Sequence, residues 1–257
     1  MHDATDRTPA PLVRTRGNRR TLEFAPGDVQ SEMLLSRPDA LVLAYTRAMM
    51  GFVLFVPDPR HIVMVGLGGG SLAKFCHRHF PRARITVIEL RADVIALRGR
   101  FGVPPDDDRL RVVHADATRY LAAMAHGADR ADVLLVDGFD AAGLPAALAT
   151  PAFYHDCKGA LRAGGVLAAN VFTYDPRCGG VLADLARAFD GHTCWFDKVA
   201  GNNRIVFALK APAPDRAMRR VRRLARRRGL GLGLLNRLAK HVIIAWIVSR
   251  SVLAPPQ

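Results

Sequence analysis

"IVMVGLGGGSL", Ile62 to Leu72, is the stretch whose reading decides the fold. The apolar run Ile62–Val65 has the length of a buried strand. Gly66, Gly68, Gly69 and Gly70 follow, and from Ser71 the segment "SLAKFCHRHF" puts Leu72, Phe75, Cys76, His79 and Phe80 on one face at helical spacing. A strand, a glycine-rich turn and a helix start form a site for a nucleoside or small anion. Glycine lets the backbone turn tightly and lets a ligand approach it, and the helix start offers free N–H groups at a positive dipole end. Gly66, Gly68, Gly69 and Gly70 are therefore candidate cofactor-binding residues. The run lacks G-x-x-x-x-G-K-[ST], which argues against a P-loop nucleotide hydrolase.

Outward from this point the chain alternates between apolar strand candidates and helical stretches. The strands are Ile62–Val65, Ile85–Leu90, Leu110–His114, Val133–Val136 and Val166–Val171. In "TPAFYHDCKGALRAGG", Thr150 is placed as an N-cap, Pro151 as the first helical residue and Gly164 as the stop. Continuous apolar strands separated by helices predict a parallel sheet covered on both faces. "TCWFDKV", the turn "AGNN" and "RIVFALK" predict a closing hairpin. The expected fold is α/β and Rossmann-like, a mostly parallel seven-stranded sheet with an antiparallel last strand, which is the outline of the nucleoside-binding transferases and leaves NAD and S-adenosyl compounds both open as the ligand. Upstream, "TLEFAPGDVQSEM" (Thr21 to Met33) reads as strand, Pro-Gly-Asp turn and strand, and Ala40–Phe55 reads as a buried helix stopped by Pro57 and Pro59. The expected organisation is a disordered tail over 1–20, a small β-hairpin and helix over 21–56, the catalytic domain over 57–210 and a basic helical extension over 211–257.

Composition narrows the class. A chain of 257 residues, half of them apolar, can bury a proper core. The first residues lack the apolar core of a secretory signal, and no run of about 18 or more apolar residues marks a spanning helix. Four cysteines (Cys76, Cys157, Cys178 and Cys194) lack metal-ligand spacing, so the expectation is free thiols, no metal and a reducing, cytoplasmic setting. The net charge of +14 is concentrated at one end. Eleven Lys and Arg residues lie between Ala211 and Gln257 against Asp215 alone, so the charge says little about the substrate of the main domain. "RAMRRVRRLARRRG" could contact nucleic acid or an anionic membrane, but a solvated helix packing one apolar stripe on the domain is the preferred reading. "HVIIAWIV" is too short to cross a bilayer and is expected to dock on the domain or on a second subunit, as in a homodimer.

Acids punctuate the carboxyl ends of the strands. Glu89 ends "TVIEL", roughly 20 residues past the glycine turn, where an acid accepts hydrogen bonds from ribose hydroxyls. Asp116, followed by Ala117, lies past the third strand. It reads equally as a partner of an adenine amino group or as the N-cap of the next helix. The fourth strand runs into "VDGFD", which puts Asp137 and Asp140 beside the same edge. Two acids at the mouth of a nucleoside site suit a cationic substrate, one as base toward an amine and the other as a ligand of positive charge.

With these residues in place, the run from Val29 to Lys210 resembles the spermidine synthase (polyamine aminopropyltransferase) family, especially its divergent bacterial members. The carriers are "VGLGGGSL", "VIEL", "HADA", "VDGFD", "ATPAFYHDCKGALRAGGVLAANVF" and "GNNRIVFALK". The resemblance implies aminopropyl transfer from decarboxylated S-adenosylmethionine to an amine such as putrescine, with no metal. It implies Glu89 on the ribose, Asp116 and Ala117 at the adenine, Asp137 as the base and Asp140 as a ligand of the amine substrate. Gln30 and Tyr45 would line the substrate pocket. The chain departs from the family pattern where Gly69 replaces the Asp of G-G-G-D-G, where Thr46 and Arg47 replace the His-Glu after the tyrosine, and where Gly138, Phe139 and Ala141 replace the small polar residues and the Pro of the gate loop.

Two other readings stand beside this one. A methyltransferase using intact S-adenosylmethionine would also satisfy G-x-G-x-G, although Met64 occupies the place of that class's usual acid. A non-catalytic nucleoside-binding relic with a working basic tail is the third.

Overall fold

The computed structural model describes residues 10–139, 143–200 and 202–210. Seven strands form the central sheet: β4 (His61–Val65), β5 (Arg84–Glu89), β6 (Leu110–His114), β7 (Ala131–Val136), β8 (Leu161–Phe172), β9 (Thr193–Ala200) and β10 (Asn203–Leu209). Their order is β6-β5-β4-β7-β8-β10-β9. β4 pairs in parallel with β5 and β7, β5 with β6, and β7 with β8, whereas β10 runs antiparallel to both β8 and β9. This is the Rossmann-like sheet that the alternating pattern predicts, with the reversed strand inserted beside β8. The strand order reverses at β4 and β7, and ligands of open α/β sheets collect outside the carboxyl ends at such a point.

Alternation along each strand sorts the core into two layers. Ile62, Met64, Ile85, Val87, Val133, Leu135, Val166, Ile205 and Phe207 face one layer, shared with α1 (Ala44–Met49) and α2 (Ser71–His79). Val63, Val65, Leu134, Val136, Leu167, Ala169 and Val206 face the other, shared with α4 (Ala117–His126), α5 (Pro151–Ala160) and α6 (Cys178–Ala188). Residues buried on both faces require strands with no polar alternation, which is why these read as continuous apolar runs. The short α3 (Ala92–Ala96) follows β5.

A separate three-stranded antiparallel sheet precedes the domain: β1 (Leu12–Arg16), β2 (Arg19–Glu23) and β3 (Val29–Leu34). The expected tail over 1–20 is corrected here, because Leu12–Arg16 pairs with Arg19–Glu23 across a Gly17-Asn18 turn in which Gly17 has φ +53°. Gly-Asn between two short runs is a hairpin signal that the Arg-rich composition masks. The helix expected over 40–55 starts only at Ala44 and tightens into a 3₁₀ turn over Met50–Leu54. Thr150 caps α5 by accepting from the Phe153 N–H at 3.2 Å, with Pro151 in the first turn. Gly164 is not the helix stop. The helix ends at Ala160, and Gly164 sits inside β8 with φ +78°. All four cysteines are free, and no helix among the described residues is long and apolar enough to cross a membrane. The basic extension over 211–257, with its expected helix and "HVIIAWIV", lies outside the described residues, as does Asp140.

Candidate active site

A single cleft of about 890 Å³ runs across the carboxyl ends of the strands, from Asp116 beyond β6 to Asn203 on β10. β4 and β7 form its middle. Gly66 leaves β4 with φ +93°, and a Cβ there would stand 2.4 Å from the Asp137 carbonyl oxygen. Only glycine lets the two strand ends come this close. Gly68 lines the cleft, and Gly70 begins α2 in the left-handed region.

On the β5 side the cleft is lined by the buried Glu89 and by Asp116. Glu89 is 8 % exposed. One carboxylate oxygen accepts from the Leu67 N–H and the other from the Arg91 N–H, both at 2.8 Å. It is therefore a fixed acceptor locked to the glycine turn rather than a solvated strand-end acid. Arg91 lies over the Phe24 ring at 4.8 Å, which joins the small sheet to this wall. Asp116 is the N-cap that one of its readings expects, one oxygen accepting from the Thr118 N–H and hydroxyl at 2.7 Å each, and it also borders the cleft beside the buried Ala117. The Thr118 hydroxyl, followed by backbone donors, holds the Asp116 pKa below the usual carboxylate value.

Asp137 sits at the centre, carried by β7, its own N–H bonded to the Val65 carbonyl at 3.0 Å. The Tyr45 hydroxyl donates to one carboxylate oxygen at 3.0 Å, and the Asn170 amide donates to the other at 2.9 Å. Loss of water raises the Asp137 pKa, while these two donors pull it back. Burial and the neighbouring negative charge push the Tyr45 phenol well above its ordinary value, so it stays a donor. Asn170 is 3 % exposed, and its own carbonyl accepts from the Asn203 amide at 2.9 Å. This fixes which end of Asn170 faces Asp137. Asn170 and Asn203 escape sequence reading, because an Asn in an apolar strand gives no motif. The available signal was a buried polar residue on β8 opposite "VDGFD".

Gln30 reaches the cleft from β3, where it donates to Asp28 at 2.8 Å and so lies apart from the Asp137 network. Arg47 points away, donating to the carbonyls of Leu41 and Val42 at 2.6 Å each. Gly69 is buried below the turn. A Cβ there would meet the Ser31 hydroxyl at 2.6 Å and Phe101 at 2.9 Å. Ser31 and Phe101 thus already fill the space an Asp would need. Among the described residues, no group of three or more His, Cys, Asp or Glu is placed to hold a metal ion.

A mostly parallel sheet with a buried carboxylate on one side of its switch point and a hydrogen-bonded carboxylate at the centre gives the class: a Rossmann-like fold of the kind shared by S-adenosylmethionine-dependent transferases. The comparisons with known proteins agree. Residues 42–172 match the spermine/spermidine synthase domain, and the chain belongs to that family. It is 35% identical over 211 residues to a polyamine aminopropyltransferase of Chromobacterium violaceum, covering 82% of this chain and 80% of that one. Two solved structures share its fold. One is a probable spermidine synthase from Corynebacterium glutamicum, 22% identical with TM-score 0.67, covering 77% of this chain and 76% of that one. The other is human methyltransferase-like protein 13 in complex with SAH, 23% identical with TM-score 0.61, covering 83% and 94%. The fold alone therefore does not separate aminopropyl from methyl transfer.

Proposed function

We propose that this protein transfers the aminopropyl group of decarboxylated S-adenosylmethionine to an amine of the polyamine class, putrescine being the simplest probe. The observation that carries the reading is the Asp137 carboxylate, held by Tyr45 and Asn170 midway along one continuous cleft. The residues present fit an adenosyl co-substrate. Glu89 offers fixed acceptors for ribose hydroxyls, Asp116 and Ala117 border the adenine end, and Gly66 and Gly68 leave the turn open to a ligand. When bound, that co-substrate supplies an electrophilic carbon beside a sulfonium that leaves as a neutral thioether.

The chain's own work is to hold an amine in line and remove its proton. A primary amine is protonated at neutral pH and is no nucleophile until that proton leaves. Asp137 accepts it first, and the freed nitrogen lone pair then forms the nitrogen–carbon bond as the carbon–sulfur bond breaks, its electron pair going to sulfur. Tyr45 and Asn170 keep both lone-pair directions of the carboxylate defined, so the base costs little reorganisation.

The test is release of methylthioadenosine from decarboxylated co-substrate and putrescine. Asp137→Asn should keep nucleoside binding, read by calorimetry, while turnover falls by about a hundredfold or more. Unchanged turnover removes Asp137 as the base. Tighter binding of intact than of decarboxylated S-adenosylmethionine turns the reading toward methyl transfer.

A further inference from the structure

Aminopropyl transfer sets a charge requirement that Glu89 and Asp137 do not meet. The transferred group ends in an ammonium on the third carbon from sulfur. The incoming amine attacks the first carbon on the side opposite sulfur, so the rest of the propyl chain leaves that line sideways. Its ammonium then needs an acceptor apart from the ribose ligand and the base. The glycine turn supplies none, because Ser31 and Phe101 fill the space beside Gly69.

The small sheet supplies one. Phe24, Asp28, Gln30 and Ser31 line the cleft from that side. Ser31 seats this wall against the glycine turn. A Cβ on Gly68 would stand 3.8 Å from the Ser31 Cβ, and the Ser31 hydroxyl lies 3.5 Å from that of Ser71 at the start of α2. Asp28 leads into β3, its N–H bonded to the Ala25 carbonyl at 2.9 Å, and its side chain is exposed. One carboxylate oxygen accepts from the Gln30 amide at 2.8 Å. With its nitrogen turned to Asp28, Gln30 presents its carbonyl oxygen as a second acceptor. The arginines of this side are engaged with other acids, Arg14 with Glu23 at 3.3 Å and Arg91 with Asp93 at 2.7 Å. Asp175, at the other end of the cleft, differs: Arg177 already holds it at 2.8 Å. A carboxylate steadied by a neutral amide keeps its charge for a ligand.

We propose that Asp28, steadied by Gln30, takes the ammonium of the aminopropyl group and selects decarboxylated over intact S-adenosylmethionine. This rests on the aminopropyl-transfer reading and names the residue that sets its co-substrate preference. The intact compound carries a carboxylate on the same carbon as its ammonium. A fixed negative charge attracts one of these groups and repels the other, so the compound lacking the carboxylate gains. Asp140 lies outside the described residues, and the family resemblance gives it the acceptor amine, so the two acids are told apart by experiment.

Calorimetry on the full chain, with no amine present, measures binding of decarboxylated S-adenosylmethionine, the intact compound and methylthioadenosine. Asp28→Asn removes the charge and keeps the size, at an exposed position where folding is least at risk. The Kd of the decarboxylated compound should rise about tenfold, the low end for a hydrogen bond to a charged group, while that of methylthioadenosine, which has no ammonium, stays within about twofold. The preference for the decarboxylated over the intact compound should fall with it. Asp140→Asn, run in parallel, should shift the decarboxylated Kd less than Asp28→Asn does, and the reverse order overturns the proposal. An unchanged Kd in Asp28→Asn, or an equal weakening of all three ligands, also overturns it. Each of these leaves aminopropyl transfer standing where the wild type releases methylthioadenosine from decarboxylated co-substrate and putrescine. Tighter binding of the intact compound by the wild type overturns that reading and this inference with it.

Discussion

Tyr45→Phe tests how Asp137 is tuned. The substitution keeps the ring and its packing and deletes one hydroxyl, the donor 3.0 Å from the carboxylate. A hydrogen bond to a charged group stabilises it by about 1.5–3 kcal/mol, and each 1.36 kcal/mol corresponds to about one pH unit. Asp137 borders an open cleft, so water replaces part of the lost bond and the lower end of that range applies. Removing the donor disfavours the ionised base, so a higher pH is needed to empty it. The acid limb of kcat/KM against pH should therefore move upward by about one unit, with the plateau at high pH much less affected. The assay is methylthioadenosine release from pH 5 to 9 for wild type and variant under identical salt. An acid limb that stays in place, or moves to lower pH, would refute the claim that Tyr45 tunes this base.

Asn203→Ala should release the Asn170 amide to flip, lowering kcat by about threefold to tenfold, the worth of one neutral hydrogen bond, with the acceptor KM nearly constant; a KM effect alone would contradict it. Gly69→Asp should lose about 1–3 kcal/mol in urea unfolding, because its Cβ meets Ser31 and Phe101, and adding Ser31→Gly should recover part of the loss. Lys74 is 4 % exposed and held by the Phe101 carbonyl at 2.5 Å, and burial lowers its pKa to about 8. Its folded pKa lies below its unfolded one, so the unfolded chain binds more protons between about pH 8 and 10.5, and stability rises with pH there. Lys74→Met should remove that rise relative to wild type in unfolding curves taken across the window.

The strands and the cleft residues of the glycine turn were legible because their signals are local. Four glycines fall between an apolar run and a helical one, and Glu89 and Asp116 end strands at fixed intervals. The central acid Asp137 was readable for the same reason. Of its partners, Tyr45 came only from the family resemblance and Asn170 and Asn203 were not readable, since these residues lie far apart in the chain and meet only through β8, β10 and α1. Leu12–Arg16 was missed because a strand of the small, exposed sheet can be polar, and composition then resembles a tail. Gly164 misled because a left-handed glycine inside a long strand looks, in sequence, like a helix stop.

The crowding at Gly69 also constrains the order in which this sequence can change. Ser31 and any side chain at position 69 compete for one volume, so the two positions are epistatic. An Asp introduced at 69 while Ser31 and Phe101 remain passes through a strained intermediate. Loss of the Ser31 side chain first opens one side of that volume and makes the second step easier. Ser31 lies on the edge strand β3 of the small sheet and Gly69 in the turn between β4 and α2, yet the two act as a ratchet: each further residue that packs onto Ser31 makes a carboxylate in the glycine turn less accessible by single substitutions.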